Sequence, residues 1–427
     1  MRFQRVITIT LLTLVAVAAG CERNMLQTQE PPAAAMRDVP SVRLNYRYEG
    51  DVPAPTADAP PRSDAERNGG VQADFDSARS QELLDRTITS PDKRRVIAVY
   101  RTVNDLPSEV RLDMYSSEGK LLHKVTADTM AAHFPDTITW SPDSKSVAFV
   151  ATNRTIGLTP AVTPTPVSDV PADANANVAP TPTPVAAAPT PLAPSGVLTF
   201  KTEQLYICDA EGTGVKALTQ NDGLIYFYYV WSPDSTMLAA LATTSREWRY
   251  QEIMSEGKGE QMVPQGRLRI IEKNSRERRL DDNLTAVRPV WSPDSAKVAL
   301  AYDTQVRVYD AAGTTPTQAA IPLKNPLLIS SQIYDRDQQR KLQAANANTD
   351  ANTAVPAASP DQPMTTLPDE KLLVSYNPIV ELAWNADDII YLKTAYVRRM
   401  KNDADSVMSF SRWHRLILTS QAAGPAR

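Results

Sequence analysis

Four aspartates that recur in one short motif, Asp92, Asp143, Asp234 and Asp294, are the first candidates for chemistry in this chain. The stretch Trp-Ser-Pro-Asp-Ser occurs at 140–144, 231–235 and 291–295, with looser copies at 89–93 (Thr-Ser-Pro-Asp-Lys) and 384–388 (Trp-Asn-Ala-Asp-Asp). Carboxylates bind hard metal ions and act as acid and base in glycoside hydrolysis, so their repetition could serve either chemistry. A local cause explains them better, because Pro presets φ at about −65° and Asp hydrogen-bonds to its own backbone in a type I turn.

We therefore predict that the motif is a structural turn and that the chain has no metal site. Pro lacks an N–H, so the turn joins two strands rather than lying inside one. The residues assigned to this turn are Pro91, Asp92, Trp140, Pro142, Asp143, Trp231, Pro233, Asp234, Trp291, Pro293, Asp294 and Trp384.

The segments around each turn predict one repeated unit of four antiparallel strands. A short apolar run follows each turn, as at 147–151 and 298–302, which is typical of a strand buried on both faces. An alternating strand, a Gly-containing turn and a short outer strand come next. The pattern predicts an all-β fold, a β-propeller of five or six four-stranded blades. A sixth blade would lie within 322–376. A solenoid or a two-sheet sandwich is the alternative, but only closure removes the sheet edges.

The repeat resembles the WD40-like (PD40) repeat of TolB-type β-propellers. The resemblance rests on TITWSPDSKSVAFVATN at 137–153 and QLYICDAEGTGVKALT at 204–219, and it extends from 87 to about 418 apart from two insertions. It implies the propeller fold and, by likeness to TolB-type envelope proteins, the binding of partner proteins. Ser144, Ser235 and Ser295 stand where the family usually has Gly, so we expect them in the left-handed region. Prolyl oligopeptidase relatives add an α/β-hydrolase domain to such a propeller, and we expect none here.

The first residues predict export and a lipid anchor. Residues 1–20 combine Arg2 and Arg5 with a short apolar core, as in a secretory signal peptide. Residues 18–21 (Ala-Ala-Gly-Cys) resemble a bacterial lipobox, which implies cleavage before Cys21 and lipid attachment to its sulfur. An ordinary signal peptide with an incidental Cys is the alternative. Cys208 is the only other cysteine, so no internal disulfide is expected.

Three segments are predicted to lie outside the regular blades. Residues 21–81 form a flexible linker rich in Pro and Gly, and residues 82–420 form the propeller. Within the linker, 42–48 alternates apolar and polar residues and could supply an outer strand to the last repeat, closing the ring. The Thr-Pro-rich stretch 159–195 and the Ala/Asn-rich stretch 340–370 are predicted to be disordered insertions. A role for them as spacers or docking segments is the alternative.

Charge and composition exclude some classes of function. A net charge of −4 and a pI near 5.6 give no electrostatic footprint for nucleic acid. His123, His133 and His414 show no metal-ligand spacing, and no nucleophile elbow or phosphate-binding Gly loop occurs, so no cofactor is expected. Tyr226 and Tyr228, in an aromatic run before the second exact-copy turn, are the candidate binding residues. Packing inside the strand is the other explanation for them.

We expect an exported β-propeller lipoprotein, anchored through Cys21 to the outer face of the bacterial cytoplasmic membrane or to the periplasmic side of the envelope. It would act as a monomeric, non-catalytic protein-binding or scaffold module whose partners are envelope proteins. One alternative is a sensor that binds a small ligand or glycan in the central channel. The other is a hydrolase or lyase whose carboxylates meet in that channel, because paired carboxylates need only meet in space.

The lipobox generates a direct prediction. Cys21→Ser removes the sulfur that would carry the lipid, so the protein should move from the membrane fraction to the soluble envelope fraction. Immunoblotting of fractionated cells measures this. Cys208→Ser, which removes the other thiol, should leave the distribution unchanged. A Cys21→Ser protein that still sediments with membranes contradicts lipid anchoring.

Overall fold

The computed structural model describes residues 36–56, 67–103, 105–153, 203–313, 317–347, 367, 375–398 and 407–420. The signal segment with Cys21, the insertion 159–195 and most of the stretch 340–370 lie outside the described residues.

In this part of the chain the fold is mostly β and propeller-like, with five antiparallel sheets of four or five strands. Strand β1 (Leu44–Val52) belongs to sheet 5. Sheet 1 contains β2 (Glu82–Thr89), β3 (Arg95–Thr102), β4 (Arg111–Ser116) and β5 (Leu121–Lys124). Sheet 2 contains β6 (Met130–His133), β7 (Thr139–Trp140), β8 (Ser146–Asn153), β9 (Gln204–Asp209) and β10 (Lys216–Ala217).

The remaining strands form sheets 3, 4 and 5, all antiparallel. Sheet 3 contains β11 (Leu224–Trp231), β12 (Met237–Thr244), β13 (Arg267–Glu272) and β14 (Glu277–Arg279). Sheet 4 contains β15 (Val290–Trp291), β16 (Lys297–Tyr302), β17 (Gln305–Asp310) and β18 (Gln318–Pro322). Sheet 5 joins β1 to β19 (Ser375–Tyr376), β20 (Ile379–Ala386), β21 (Ile389–Arg398) and β22 (Val407–Ser420).

The described residues contain few helices. They are α1 (Gly69–Ala78), α2 (Ser245–Lys258) and α3 (Lys324–Ala347), with 3-10 turns at Met36–Asp38, Ser41–Arg43 and Pro135–Thr137. No helix in the described ranges is long and apolar enough to cross a membrane.

Two of these helices correct the sequence predictions. Helix α1, which begins at Gly69 and Gly70, lies inside the segment 21–81 that the sequence predicts to be a flexible linker. Asn68 caps it by accepting a hydrogen bond from the Val71 N–H. Helix α3 covers 340–347, so the predicted disordered insertion does not begin at residue 340. The helix also lies within 322–376, where a sixth blade of four strands was expected.

The core lies between the sheets. The second strand of sheets 1 to 4 is buried on both faces, as in Val147–Ala151, where every residue is at most 1% exposed. In sheet 5 the corresponding strand β21 alternates between buried and partly exposed residues, so the expectation of a strand buried on both faces does not hold there. Four apolar clusters fill the spaces between sheets 1 and 2, 2 and 3, 3 and 4, and 4 and 5. The other face of sheet 1 is covered by Val71 and Phe75 of α1. Within the described residues no apolar cluster joins sheet 5 to sheet 1.

Tryptophans of the turn motif connect the first strands of neighbouring sheets. The indole Nε1 of Trp140 donates to Ile88 O at 3.1 Å, that of Trp231 to Thr139 O at 3.4 Å, and that of Trp291 to Val230 O at 3.1 Å. Each acceptor lies in the first strand of the preceding sheet, so these strands are neighbours in space. The Nε1 of Trp384, in the looser copy, is buried and has no hydrogen-bond partner among the described residues.

The serines that replace the family's Gly form a second connection between repeats. Ser144, Ser235 and Ser295 have φ of 59°, 62° and 62°, the left-handed conformation expected of them. Their hydroxyl oxygens accept hydrogen bonds from the backbone N–H of the aspartate in the preceding turn, each at 3.0 Å; the donors are Asp92, Asp143 and Asp234. Successive turns are therefore linked in a row, here called the turn row.

The N-terminal segment fastens the last two sheets. Strand β1 pairs antiparallel with β22 from Leu44↔Ser420 onward, in the place where the stretch 42–48 was expected to pair, although the strand itself begins at Leu44. Just before it, Ser41 donates to the carboxylate of Asp310 through both its backbone N–H and its hydroxyl. The nearly buried Lys297 completes this contact with a 3.1 Å ion pair to Asp310.

A buried histidine lies beneath the paired β1 strand. His414 is 0% exposed, and its Nδ1 lies 3.1 Å from the Asp51 N–H and 2.9 Å from the Tyr48 hydroxyl. Because Nδ1 must accept from a backbone N–H, the ring is neutral and Nε2–H donates to Thr394 at 2.9 Å. Burial lowers the pKa of His414 to about 4, with Arg412 acting in the same direction and Asp51 opposing it.

The turn row generates a stability prediction. Ser235→Ala keeps the left-handed backbone but removes the acceptor for the Asp143 N–H, so the free energy of unfolding should fall by about 1 kcal/mol. Ser235→Gly also removes the acceptor but relieves the left-handed conformation, so it should lose less. Urea denaturation of both variants measures the difference. If both variants are as stable as the wild type, the Ser235 hydroxyl contributes nothing to the free energy of unfolding.

The buried histidine generates a pH prediction. Its folded-state pKa lies below the ordinary 6.5, so the unfolded chain takes up the proton first as pH falls from about 6.5 to about 4. The contribution of the neutral His414 to the free energy of unfolding is fully present above this pH window. It is lost as the pH falls through the window, by about 3 kcal/mol in total. The difference in unfolding free energy between wild type and His414→Gln should shrink accordingly. The exposed His123→Gln serves as control, and a pH-independent difference contradicts the assignment.

Candidate functional site

A pocket of about 700 Å³ opens at the end of the sheets opposite the turn row. In sheet 3 the turn joins the end of β11 to the start of β12, whereas the pocket is lined by Ile225 near the start of β11 and Leu241 near the end of β12. The loop after β3, the segment between β6 and β7, helix α2 and residues 286–288 form the other walls. We call this cavity the aromatic pocket.

Aromatic side chains form one wall of the pocket. The ring of Trp248 lies between those of Phe134 and Phe227, with centroid distances of 5.7 Å to each and tilted planes. Tyr228 lines the same cavity, and the guanidinium of Arg288 lies over its ring at 4.8 Å from the centroid. Burial raises the pKa of the Tyr228 phenol, while the Arg288 charge opposes that rise. Tilted rings of this kind present both faces and edges to an occupant.

An interruption of the first strand in sheet 2 places Phe134 in the pocket. Strand β6 ends at His133, Phe134 takes φ of 52°, and the 3-10 turn Pro135–Thr137 separates β6 from β7. The turn is fixed by the Thr137 hydroxyl, which donates to the Phe134 carbonyl at 2.8 Å. A left-handed Phe is uncommon and costs backbone energy, so the surrounding packing must hold it there.

Helix α2 holds Trp248 against this wall. Thr244 and Glu247 form a capping box at its first turn, and Glu247 also makes two 2.7 Å hydrogen bonds with Arg267 of β13. The Arg267 contact, opposed by partial burial and supported by the cap, lowers the pKa of Glu247 to about 2. The next residue is Trp248, whose indole N–H donates to Glu252, one turn further along the helix, at 2.8 Å. The helix thereby fixes both the ring and a carboxylate at the rim.

Charged side chains also line the pocket. Among the described lining residues, the carboxylates are Glu109, Asp136, Glu203 and Glu252, and the guanidinium is Arg288; Asp136 pairs with Arg86 and Glu252 with Arg249. Glu109 is only 3% exposed and accepts a 3.1 Å hydrogen bond from the Leu106 N–H. Its loop is braced by Arg111, which pairs with Asp105 at 3.1 Å. The lining therefore combines aromatic rings with carboxylates that have partners of their own, which suits an apolar group.

The two candidate tyrosines from the sequence separate in the structure. Tyr228 lies in the pocket lining, but Tyr226 is 0% exposed and donates to Glu277 at 2.7 Å within the sheet 2–sheet 3 core. Tyr226 as a binding residue is therefore wrong. A β-bulge between them is the cause: the pairing with β12 skips Phe227, so residues two apart face different sides.

The turn aspartates make contacts within their own turns. Each carboxylate accepts from the hydroxyl of the serine two residues earlier, at 2.5–2.7 Å; the acceptors are Asp92, Asp143, Asp234 and Asp294. For Asp92 the hydrogen bonds from Ser90 and the Arg94 N–H lower its pKa. Among the described residues no group of three or more His, Cys, Asp or Glu side chains could hold a metal ion.

The histidines also lie apart. His133 lines the aromatic pocket and shares a 2.9 Å hydrogen bond with Thr152, His123 is on the exposed edge strand β5, and His414 is buried in sheet 5.

Sequence reasoning missed most of this site. Phe134, Trp248, Glu109 and Arg288 come from four separate segments and form no motif. The available signals were Phe-Pro at 134–135, shortly before the turn motif at 140–144, and an extra polar segment at 245–258 between two strands of one repeat. Both mark departures from the repeat pattern.

Comparison with known proteins gives no family and only remote structural likeness. No family model matches the chain, and no curated protein matches it. Prolyl oligopeptidase B from Galerina marginata aligns at 9% identity with a TM-score of 0.37, over 79% of this chain and 36% of that one. Oligogalacturonate lyase from Vibrio parahaemolyticus aligns at 8% identity with a TM-score of 0.34, over 78% of this chain and 65% of that one.

A luciferin-regenerating enzyme aligns at 8% identity with a TM-score of 0.30, over 78% of this chain and 76% of that one. Of the prolyl oligopeptidase, by contrast, this chain spans only about a third of the length. The activities of these proteins are not carried over to this chain, because identity and TM-score are both low.

Proposed function

We propose that this chain is an exported, lipid-anchored and non-catalytic binding module of the bacterial cell envelope. Its aromatic pocket receives a segment of a partner protein. The observation that carries the proposal is the cluster of Phe134, Phe227, Trp248 and Tyr228 around a cavity of about 700 Å³. Aromatic and Arg side chains in partly desolvated pockets dominate the binding energy of protein interfaces.

For the scaffold we propose a five-bladed propeller of the TolB type, one blade for each sheet. The neighbouring first strands, linked by the Trp indoles, support a radial arrangement with these strands innermost. The pairing of β1 with β22 supports a ring fastened by both ends of the chain. Such a ring presents its loops on two opposite rims, one formed by the turn row and the other by the aromatic pocket.

The rim of the pocket also offers apolar surface for a protein partner. On the outer side of α2, Tyr250, Ile253 and Met254 are exposed at spacings of three and four residues, and exposed Val263 follows the helix. Exposed apolar side chains next to a pocket extend the area that a partner can bury. A small-molecule sensor would have no use for this outer surface, which favours a protein occupant.

Site-specific photo-crosslinking in cells tests the proposal. A photoreactive amino acid at Ser108, an exposed residue of the pocket rim, should give a defined adduct with an envelope protein that mass spectrometry can identify. The same amino acid at the exposed Lys145, beside the turn row, is the matched control and should give none. Adducts from position 145 alone contradict the pocket as the binding site. No adduct from either position favours a small ligand or glycan.

A further inference from the structure

We infer that the aromatic pocket selects a partner segment in which a carboxylate lies next to an apolar side chain. The carboxylate binds the guanidinium of Arg288, and the apolar side chain packs against the rings of Phe134 and Trp248. This inference rests on the proposed function and adds the chemistry of the segment that binds. An acidic side chain and the C-terminus of the partner are the two sources of such a carboxylate, and different probes distinguish them.

The first support is that Arg288 differs from the other charged groups of the lining. The carboxylates all have partners: Asp136 pairs with Arg86 at 2.7 Å, Glu252 pairs with Arg249 at 3.0 Å, and Glu109 and Glu203 are also engaged. Arg288, in contrast, has no ion pair and no hydrogen bond with any described residue, although it lines the cavity. Its charge is therefore the one that an occupant can satisfy.

The second support is that the contact with Tyr228 gives Arg288 a defined position. The guanidinium carbon lies 4.8 Å from the centroid of the Tyr228 ring, within the range of a cation–π contact. This contact uses none of the five N–H donors in an ordinary hydrogen bond. A carboxylate can therefore accept two of them at once, in the two-point geometry that suits Arg better than Lys.

The aromatic wall supplies the place for the apolar side chain. Trp248 lies between Phe134 and Phe227 at centroid distances of 5.7 Å, and Tyr228, which Arg288 covers, follows Phe227 in β11. The rings and the guanidinium line one cavity, so adjacent groups of one segment can contact both. Tilted rings favour face-to-edge packing of an aromatic side chain, which makes phenylalanine a suitable probe.

The surroundings of Arg288 also limit how strong the selection can be. Arg288 is exposed, so water weakens its attraction for an anion. The lining carboxylates oppose an anion elsewhere in the cavity, and their partners reduce this opposition only in part. Only a carboxylate in direct contact with Arg288 therefore gains, and water excluded by the apolar side chain strengthens that contact. We expect a preference of about fivefold over a neutral group of the same shape.

The test compares N-acetyl-phenylalanyl-glutamate amide with N-acetyl-phenylalanyl-glutamine amide, which have nearly the same shape and differ in charge. Binding to the full chain is followed by NMR through the indole N–H signal of Trp248, assigned with Trp248→Phe. The glutamate probe should bind about fivefold more tightly than the glutamine probe if the carboxylate comes from a side chain. N-acetyl-phenylalanine, compared with its amide, should show the preference if the carboxylate comes from a C-terminus.

Variants of Arg288 should change this preference in a graded way. Arg288→Gln removes the charge, so the two probes of each pair should bind equally. Arg288→Lys keeps the charge without the two-point geometry, so part of the preference should remain. Arg246→Gln changes an exposed arginine of α2 outside the lining, with the same change of net charge, and should retain the full preference.

Failure of this inference is distinguishable from failure of the proposed function. Equal binding within both probe pairs, no binding of any probe, or an Arg288→Gln variant that keeps the preference overturns the carboxylate selectivity. The comparison of probes on the wild-type chain decides the selectivity even where a variant fails to fold. The partner adduct at position 108 is measured separately, and its absence would overturn the proposed function whatever the probes do.

Discussion

The fold depends on covering both faces of sheets whose central strands are apolar on each side. Strands β3, β8, β12 and β16 expose almost nothing, so sheets 1 to 4 each need a neighbour on both faces. Sheets 2, 3 and 4 each pack between the preceding and the following sheet, whereas sheet 1 has sheet 2 on one face and helix α1 on the other. Strand β1 covers an edge instead of a face: it pairs with β22 of sheet 5, and Ser41 ties that segment to Asp310 of sheet 4.

The repeated part of this architecture was predictable from the sequence because its causes are local. Pro and Asp define each turn, and the serines at the Gly position take the left-handed conformation and connect successive turns. Helix α1 was not predictable, because Gly69 and Gly70 look like breakers. Their role depends on tertiary contact: a Cβ on Gly70 would collide with the Glu118 carbonyl oxygen, so only Gly lets the helix approach the hairpin turn.

The candidate site was less predictable than the fold, and for a physical reason. The aromatic pocket is built from departures from the repeat: an interrupted first strand at Phe134, a bulge at Phe227 and a helix inserted after β12. None of these departures has a periodic signal in the sequence. The bulge also places Tyr226 and Tyr228 on opposite faces of the sheet, although residues two apart in a regular strand share a face. The repeats therefore form the scaffold, while the irregular segments form the aromatic pocket that we propose as the binding site.

The central claim is that a partner protein binds in the aromatic pocket. Hydrogen–deuterium exchange of the purified complex, compared with the free chain, tests it most directly. The account predicts slower exchange in 105–109, in 134–137 and in the first turns of α2, with no change in the turn row at the opposite rim. Protection confined to the turn row, or to the exposed edge strand β5, would contradict it.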